Sequence, residues 1–527
     1  MLNDGDSQLA TDGLAVLLLS DGHAWAAPRS ALPTDVVDDS RRRLTSEEGI
    51  DPARELTVAR YAWLEQVVRE CLTRSNRHHL TATDRLDRVL AHKTWGLMIF
   101  APMMALLFYS IFIVAEPLMR WIESLCGGLR GLLISWMPEG VLRDLLVDGV
   151  LAGVGNVLVF FPQICILFLF IAVLEDTGYM ARAAFLMNRI MSRVGLHGKS
   201  FIPLLSSHAC AVPGIMATRT IENPRDRLVT ILVAPLMGCS ARMPVYTLLI
   251  AACLPGSPWI KAVALLTMYG LGVLTALIVA TVFKRTLLRG PAPAFFIELP
   301  PYHWPQVGNV LSVMWDRSRL FLTQAGTIIL AVTVVLWALM NFPTDQDKAA
   351  WYETQRAATR ASASESGGNT KQSEAAIAKL NEQQASERIE YSIVGRLGHA
   401  IAPLIEPLGY DWKIGVSIVT SIAAREVFVS TMGIVYSAAD ADSRTLRQEL
   451  AEARWPDGRR VFTPLVAVGL MIFYVLACQC VSTLAVVRRE TNSWRWPLFM
   501  FAYMSVLAYV AALIVYQAGS ALGIGVR

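Results

Sequence analysis

Long apolar runs alternate with short charged turns along this 527-residue chain. Trp95–Ala115, Asn156–Leu174, Ala262–Phe283, Leu320–Thr344, Val461–Val487 and Pro497–Val526 hold no charged side chain. A helix needs about 20 such residues to cross a bilayer. Leu228–Ala252 is interrupted only by Arg242. The pattern predicts an all-α polytopic membrane protein with about eight transmembrane helices.

Two polar stretches stand outside the spans. Residues 1–93 are expected to form a short cytosolic helical region. Within it Leu14–Leu19 is a short apolar run and Pro28–Glu48 is loop-like. Val58–Leu72 carries Tyr61, Leu64, Val68 and Leu72 at helical spacing. Thr83 is the expected N-cap of a helix leading into the first span. Residues 343–390 are rich in Ala, Ser, Gln, Glu and Lys, and are expected to be a helical or disordered external loop. These stretches divide the membrane part into 94–342 and 391–527.

The most informative stretch is Phe201–Ala252. Two apolar segments there flank the charged turn ENPRDR, and each holds a Cys beside Pro, Gly or small polar residues. Pro and Gly at membrane depth free backbone groups that other groups must satisfy. Broken apolar helices of this kind line substrate or ion sites in transporters. A weak echo recurs later: nine residues separate Cys210 from Arg219 and Cys480 from Arg489. It suggests two halves with the site between them.

Composition agrees with a membrane protein. The chain is 54% hydrophobic and 17% charged, with a mean hydropathy of +0.43. Its net charge of +4 calls for no nucleic-acid partner. The first 20 residues carry Asp4, Asp6 and Asp12 but no Lys or Arg, so the basic start of a secretory signal is missing. The N-terminus is therefore expected in the cytosol. Arg85, Arg88 and Lys93 place the same side inside, and so do the clusters Arg182–Lys199, Arg219–Arg227, Lys284–Arg289 and Arg488–Arg495.

Ionisable groups inside apolar spans are expensive and usually functional. Glu175 and Asp176 follow a long span, and either approach the pathway or mark the span's end. Arg425 and Glu426 interrupt a later apolar segment. They form a structural pair, or Glu426 pairs with Arg242, or Glu426 lines a permeation path. His208 and Cys210 are two residues apart, as are Cys478 and Cys480. His208 is either a ligand or a packing residue, and Cys478 reads as packing. Thiolate, imidazole and carboxylate together suit a borderline divalent transition metal rather than Mg²⁺ or Ca²⁺. Arg242, three residues after Cys239, is the nearby cation that a metal-binding thiolate needs. Gly195–Ser200 ends like a phosphate-binding loop, but Arg193 stands where its first Gly belongs. No nucleophile–base constellation and no zinc-protease motif is present, so a transporter is expected rather than an enzyme.

From about residue 55 onward the chain resembles the ferrous-iron transport protein B (FeoB) family. The resemblance is carried by ARYAWLEQVV, LEDTGYMARAAFLMNRIM, GLHGKSFIP, CAVPGIMATRTIENPRDRLVTILVAPLMGCSARMPVY, AAREVFVSTMG and CVSTLAVVRRETNSW, in that order. It implies two broken or re-entrant Gate segments, near 200–253 and 411–437. It also implies metal passage along Cys210, Cys239, Cys480 and Glu426, with Glu175 and Asp176 as the family's acidic pair. His208 and Ala211 depart from the family's usual pattern around Cys210, and Asn188 stands where Asp is usual.

The family's GTP-binding domain is not recognisable, and residues 1–93 resemble only the tail of the helical domain that follows it. No GTP site is therefore expected on this chain. A separate G-domain protein would supply that function, or the gene is truncated or split. The resemblance implies import of Fe²⁺ across a bacterial inner (cytoplasmic) membrane, with a small FeoA-like cytosolic protein as a further partner and homo-oligomers as an open question. The alternatives are a transporter for Mn²⁺, Zn²⁺ or an organic solute, and a non-transporting regulatory subunit of a complete paralogue.

Overall fold

The computed structural model describes residues 34–47, 49, 51–71, 82–138, 140–254, 256–289, 299–365, 370–436, 444–455 and 457–523. The run Leu14–Leu19 lies outside them. The chain forms two compact units, Met1–Thr81 and Ala82–Arg527. In the first, Thr34–Ser46 is a helix, so the loop expected over Pro28–Glu48 is corrected there. Arg41–Arg43 and the residues around them favour a helix as a polar run with no Pro or Gly after Pro33. Pro52–Cys71 forms the helix expected from the spacing of Tyr61, Leu64 and Val68.

The second unit is helical throughout, and its only β-contact among the described residues is one isolated bridge. Six of its described helices are long and apolar enough to cross a membrane, and a bent pair, Thr83–Leu90 with Trp95–Tyr109, would make a seventh. Thr83 is not an N-cap: the helix already begins at Ala82 and ends at Leu90. The N-cap residue before the first span is Thr94, and the His92 Nδ1 accepts from the backbone N–H of Thr94 and Trp95.

The lipid-facing helices explain themselves by spacing. In Pro258–Arg285, Gly272, Ala276 and Ala280 are buried at intervals of four. Leu274, Ile278 and Val282 are exposed on the opposite side. An apolar face on each side suits protein within and lipid without. Pro258 opens the helix at its first turn, and Lys284 and Arg285 close it. Arg495–Ala521 repeats the arrangement with Met500, Met504, Ala508 and Ala512 inward.

Four interrupted segments lie at the centre. Phe201–Ser207 and Ala211–Ala217 pack against each other as a first hairpin, and Trp412–Thr420 and Val427–Val435 as a second. Pro224–Val233 with Met243–Cys253 forms a first broken span. Pro464–Leu476 with Val481–Thr491 forms a second. One apolar core joins all four through Ile215, Leu232, Leu249, Phe428, Met471 and Val487. Gly214 makes the first hairpin tight: a Cβ there would sit 1.9 Å from Ser207 Oγ and 2.7 Å from Pro203 O.

The basic clusters gather at one end of the bundle. Glu490, whose side chain is 2% exposed, receives Arg219 at 2.6 Å and Arg227 at 2.7 Å. Lys284 meets buried Asp226, Arg225 donates to the carbonyl of Arg289, and Lys199 pairs with Glu222 at 2.7 Å. Gly198–Ser200 is a single 3-10 turn, so the loop that imitates a phosphate site places its Lys on a carboxylate. Fully buried Arg182 holds Asp87 through Nε and Nη2 at 2.9 and 3.0 Å and lies 4.1 Å over the ring of Tyr302. Tyr302 also donates to Asp87 at 2.8 Å.

In the polar stretch 343–390, Gln346–Glu365 and Thr370–Tyr391 are helices packed together. Ser386 Oγ donates to the carbonyl of Val435, tying this pair to the second hairpin.

Candidate metal pathway

A helix broken inside an apolar core leaves carbonyl and N–H groups to be satisfied. In the first broken span, the interruption falls at Pro235–Cys239. Arg242, 0% exposed, turns back on it and donates to the carbonyls of Pro235, Leu236 and Met237 at 2.8, 3.4 and 3.3 Å. In the second broken span, Ala477–Cys480 is interrupted without Pro or Gly. Its Ala477 carbonyl accepts from Arg425 at 3.2 Å, and the N–H of Val481 donates to Ile422 O at 3.1 Å. The tip of the first hairpin is stitched likewise: Ser240 Oγ donates to Ala209 O at 3.1 Å. His208 Nδ1 lies 3.4 Å from Gly238 O.

These interruptions place four of the expected residues at equivalent positions. Cys210 is the N-cap residue of Ala211–Ala217, Glu426 of Val427–Val435 and Cys480 of Val481–Thr491. Cys239 stands just before the 3-10 turn that opens into Met243–Cys253. All four line one cavity of about 120 Å³, which Gln163, Ser482 and Arg425 also border. Helix N-termini carry partial positive charge. Arg425 is the one basic side chain on the wall of this cavity, which is otherwise mostly apolar. Among the described residues, no three His, Cys, Asp or Glu side chains are close enough together to hold a metal ion. The candidate ligands share a space in this conformation without converging in it.

The remaining candidates lie elsewhere. His208 does not border the cavity; it contacts Gly238 O and stacks edge-on with Phe108. Glu175 pairs with Arg317 at 3.0 Å and lines a second cavity of about 560 Å³, together with Lys199 and Arg219. Asp176 accepts from Gln306 N at 2.7 Å and Asn309 Nδ2 at 2.8 Å, so it caps the helix Val307–Phe321. Ile164 and Leu167 border the first cavity, and Phe168, Ile171 and Glu175 the second, so the two follow consecutive turns of one helix, Ala152–Asp176.

Two sequence expectations are corrected by these contacts. Arg242 does not pair with Glu426: its guanidinium goes to three freed carbonyls, while its backbone N–H donates to Cys239 O at 3.2 Å. Arg425 does not pair with Glu426 either: it reaches across to Cys239 Sγ at 3.3 Å. Sequence reasoning missed Arg425 as the partner of Cys239, and also missed Glu490. Glu490 had a signal, as the one acid within the basic cluster Arg488–Arg495.

Residues 157–253 and 322–494, more than half of the chain, match the family model described as Gate: Nucleoside recognition. Residues 265–317 match the model described as Ferrous iron transport protein B C terminus. The chain belongs to the ferrous-iron transport protein B family. The Gate matches contain both hairpins, both broken spans and all four residues that cap them into the cavity.

Among curated FeoB relatives, the Fe(2+) transporter FeoB of Leptospira biflexa is 42% identical over 447 residues, 84% of this chain and 60% of the relative. That of Staphylococcus aureus strain COL is 36% identical over 473 residues, 88% of this chain and 63% of the relative. A Porphyromonas gingivalis relative, named as an Fe(2+) transport protein A/Fe(2+) transporter FeoB fusion protein, is 39% identical over 468 residues, 88% of this chain and 55% of the relative. The chain thus spans between 55 and 63% of the length of these relatives. No solved structure matches it.

Proposed function

We propose that this chain forms the membrane pathway of a ferrous-iron importer in a bacterial inner membrane. The observation that carries the proposal is the shared position of Cys210, Cys239, Cys480 and Glu426 on one cavity wall. Relatives named as Fe(2+) transporters support the cargo. Sulfur donors suit Fe²⁺ over Mg²⁺ and Ca²⁺, and Glu426 adds an oxygen donor to the same wall. Ligands that share a space without converging suit conduction, which requires binding weak enough for release.

The basic end of the bundle is the cytosolic end by the positive-inside rule, which also puts the N-terminus inside. On this reading Fe²⁺ leaves the first cavity along Ala152–Asp176 toward the second, where Glu175 waits beside Arg317. Asp176 serves the fold of that exit and His208 holds the tip of the first hairpin in place. Gating belongs to a GTP-binding partner, acting by preferring one state of the hairpins. The name of the P. gingivalis relative supports a small FeoA-like partner as well.

The proposal is tested by anaerobic alkylation of the full chain, with each cysteine followed by mass spectrometry. Fe²⁺ should protect Cys210, Cys239 and Cys480 with one common midpoint, and Glu426→Gln should raise it. Independent midpoints, or no protection, would remove the shared pathway. Stronger protection by Zn²⁺ or Mn²⁺ than by Fe²⁺ would assign the cavity to another metal, the reading that the His208 and Ala211 departures favour.

A further inference from the structure

We infer that Arg425 is a built-in cation that competes with the transported metal for Cys239. The inference rests on the metal-pathway reading above and adds to it a residue that sets selectivity and release.

Arg425 stands at the tip of the second hairpin, yet its two nitrogen contacts lie on the two broken spans. Nη1 donates to Cys239 Sγ at 3.3 Å in the first, and Nη2 to Ala477 O at 3.2 Å in the second. The residue is 5% exposed, and its Nε has no partner. A fully satisfied structural arginine, such as Arg182, sits on a carboxylate. Arg425 sits on a sulfur that a metal would want.

A divalent metal bonds a cysteine sulfur at about 2.3 Å. A guanidinium on the same sulfur would then lie within a few ångströms of it, with little water to screen the repulsion. Both cannot stay. The arriving metal displaces Arg425 toward the cavity, where Glu426 and Ser482 offer acceptors. Ser482 Oγ is 2% exposed and has no partner.

Three properties follow from this competition. Without metal, Arg425 ties the second hairpin to both broken spans and keeps the ligands from converging. A monovalent ion gains too little at the sulfur to expel an equal charge, so a divalent one is favoured. The returning guanidinium then drives the metal off Cys239, so the site is not trapped in a tight complex.

The test uses Co²⁺ alone as probe, with the purified full chain in lipid nanodiscs under anaerobic conditions. Sulfur-to-cobalt charge-transfer absorption reports binding. R425Q should bind Co²⁺ roughly ten-fold tighter or more than the native chain, R425K should fall between them, and Cys239 should alkylate faster in metal-free R425Q. In the native chain, Co²⁺ should increase modification of Arg425 by phenylglyoxal.

Native-like Co²⁺ affinity in monodisperse R425Q would overturn the inference while leaving the pathway standing. Absorption unchanged by Cys239→Ala would overturn both. Should R425Q prove poorly folded, the phenylglyoxal measurement on the native chain decides alone, and unchanged modification overturns the inference.

Discussion

Arg219 and Glu490, 271 residues apart in the chain, form a two-point ion pair at the basic end of the bundle, with Nη2–Oε1 at 2.6 Å and Nε–Oε2 at 3.0 Å. Arg227 takes the second oxygen at 2.7 Å. One buried carboxylate thereby fastens the ends of the first hairpin, the first broken span and the second broken span. Their inner ends, at the cavity, are held instead by hydrogen bonds from Arg242, Arg425 and Ser240.

Removing the shared partner should therefore cost more than removing either arginine. Glu490→Gln leaves two guanidiniums around an uncharged amide, and a loss of about 3 kcal/mol is expected. Arg219 is half exposed, so Arg219→Ala should cost about 1 kcal/mol or less. Thermal melts in detergent compare the two. Equal losses would contradict the fastening role of Glu490.

The first hairpin tolerates no side chain at Gly214. Gly214→Ala should destabilise by about 1–3 kcal/mol through overpacking. Adding Ser207→Ala should recover only part of it, because the clash with Pro203 O is with backbone and remains. Full recovery in the double variant would show that only the hydroxyl mattered.

Arg242 is expected to act on stability rather than on metal binding. Arg242→Ala strips the donor from three carbonyls in the apolar core, at a cost of about 3 kcal/mol or more. Arg242→Lys should recover part of the loss, and Cys239 should alkylate at a near-native rate in it. A changed Cys239 rate with unchanged stability would return Arg242 to the role its sequence position suggests.

How far the sequence carries is visible in these arginines. Uncharged runs are local, so the helical membrane architecture is legible from spacing alone. Pro213, Gly214, Pro235 and Gly238 mark the first pair of breaks. The breaks at Ser421–Glu426 and Ala477–Cys480 carry neither Pro nor Gly, and only the odd ionic and thiol groups betray them. Which guanidinium donates to the Cys239 sulfur is not legible, because proximity in sequence favours Arg242 while the geometry of its turn sends that side chain to its own backbone. Glu490, Asp87 and Tyr302 were likewise hidden, since each acts through a partner at least 95 residues away. Asp176 looked ionic and functional, yet it caps a helix that begins 131 residues later.

The loop before the first hairpin is expected to give the chain a pH response. Burial, with Lys199 close by, holds the His197 imidazole below its ordinary value of 6.5. Its Nδ1 accepts from the backbone N–H of Lys199 at 3.2 Å, which requires that nitrogen unprotonated. As pH falls through 6.5 the unfolded chain takes up this proton and the folded chain resists it, so stability drops. The drop stops growing below the lowered folded-state value. Melts at about pH 7.5 and about pH 5.5 should show a smaller difference in His197→Gln than in the native chain. An unchanged difference would mean that His197 does not carry the response.

Cys210, Cys239, Cys480 and Glu426 are proposed to line one route for Fe²⁺. Anaerobic Fe²⁺ uptake into proteoliposomes tests it most directly, comparing the native chain with Cys239→Ala and Glu426→Gln and with Asp176→Asn as a control away from the cavity. Uptake that falls about ten-fold or more in both cavity variants, and far less in the control, is expected, a loss of about 1.4 kcal/mol at the barrier. Uptake by Cys239→Ala equal to that of the native chain would contradict the account.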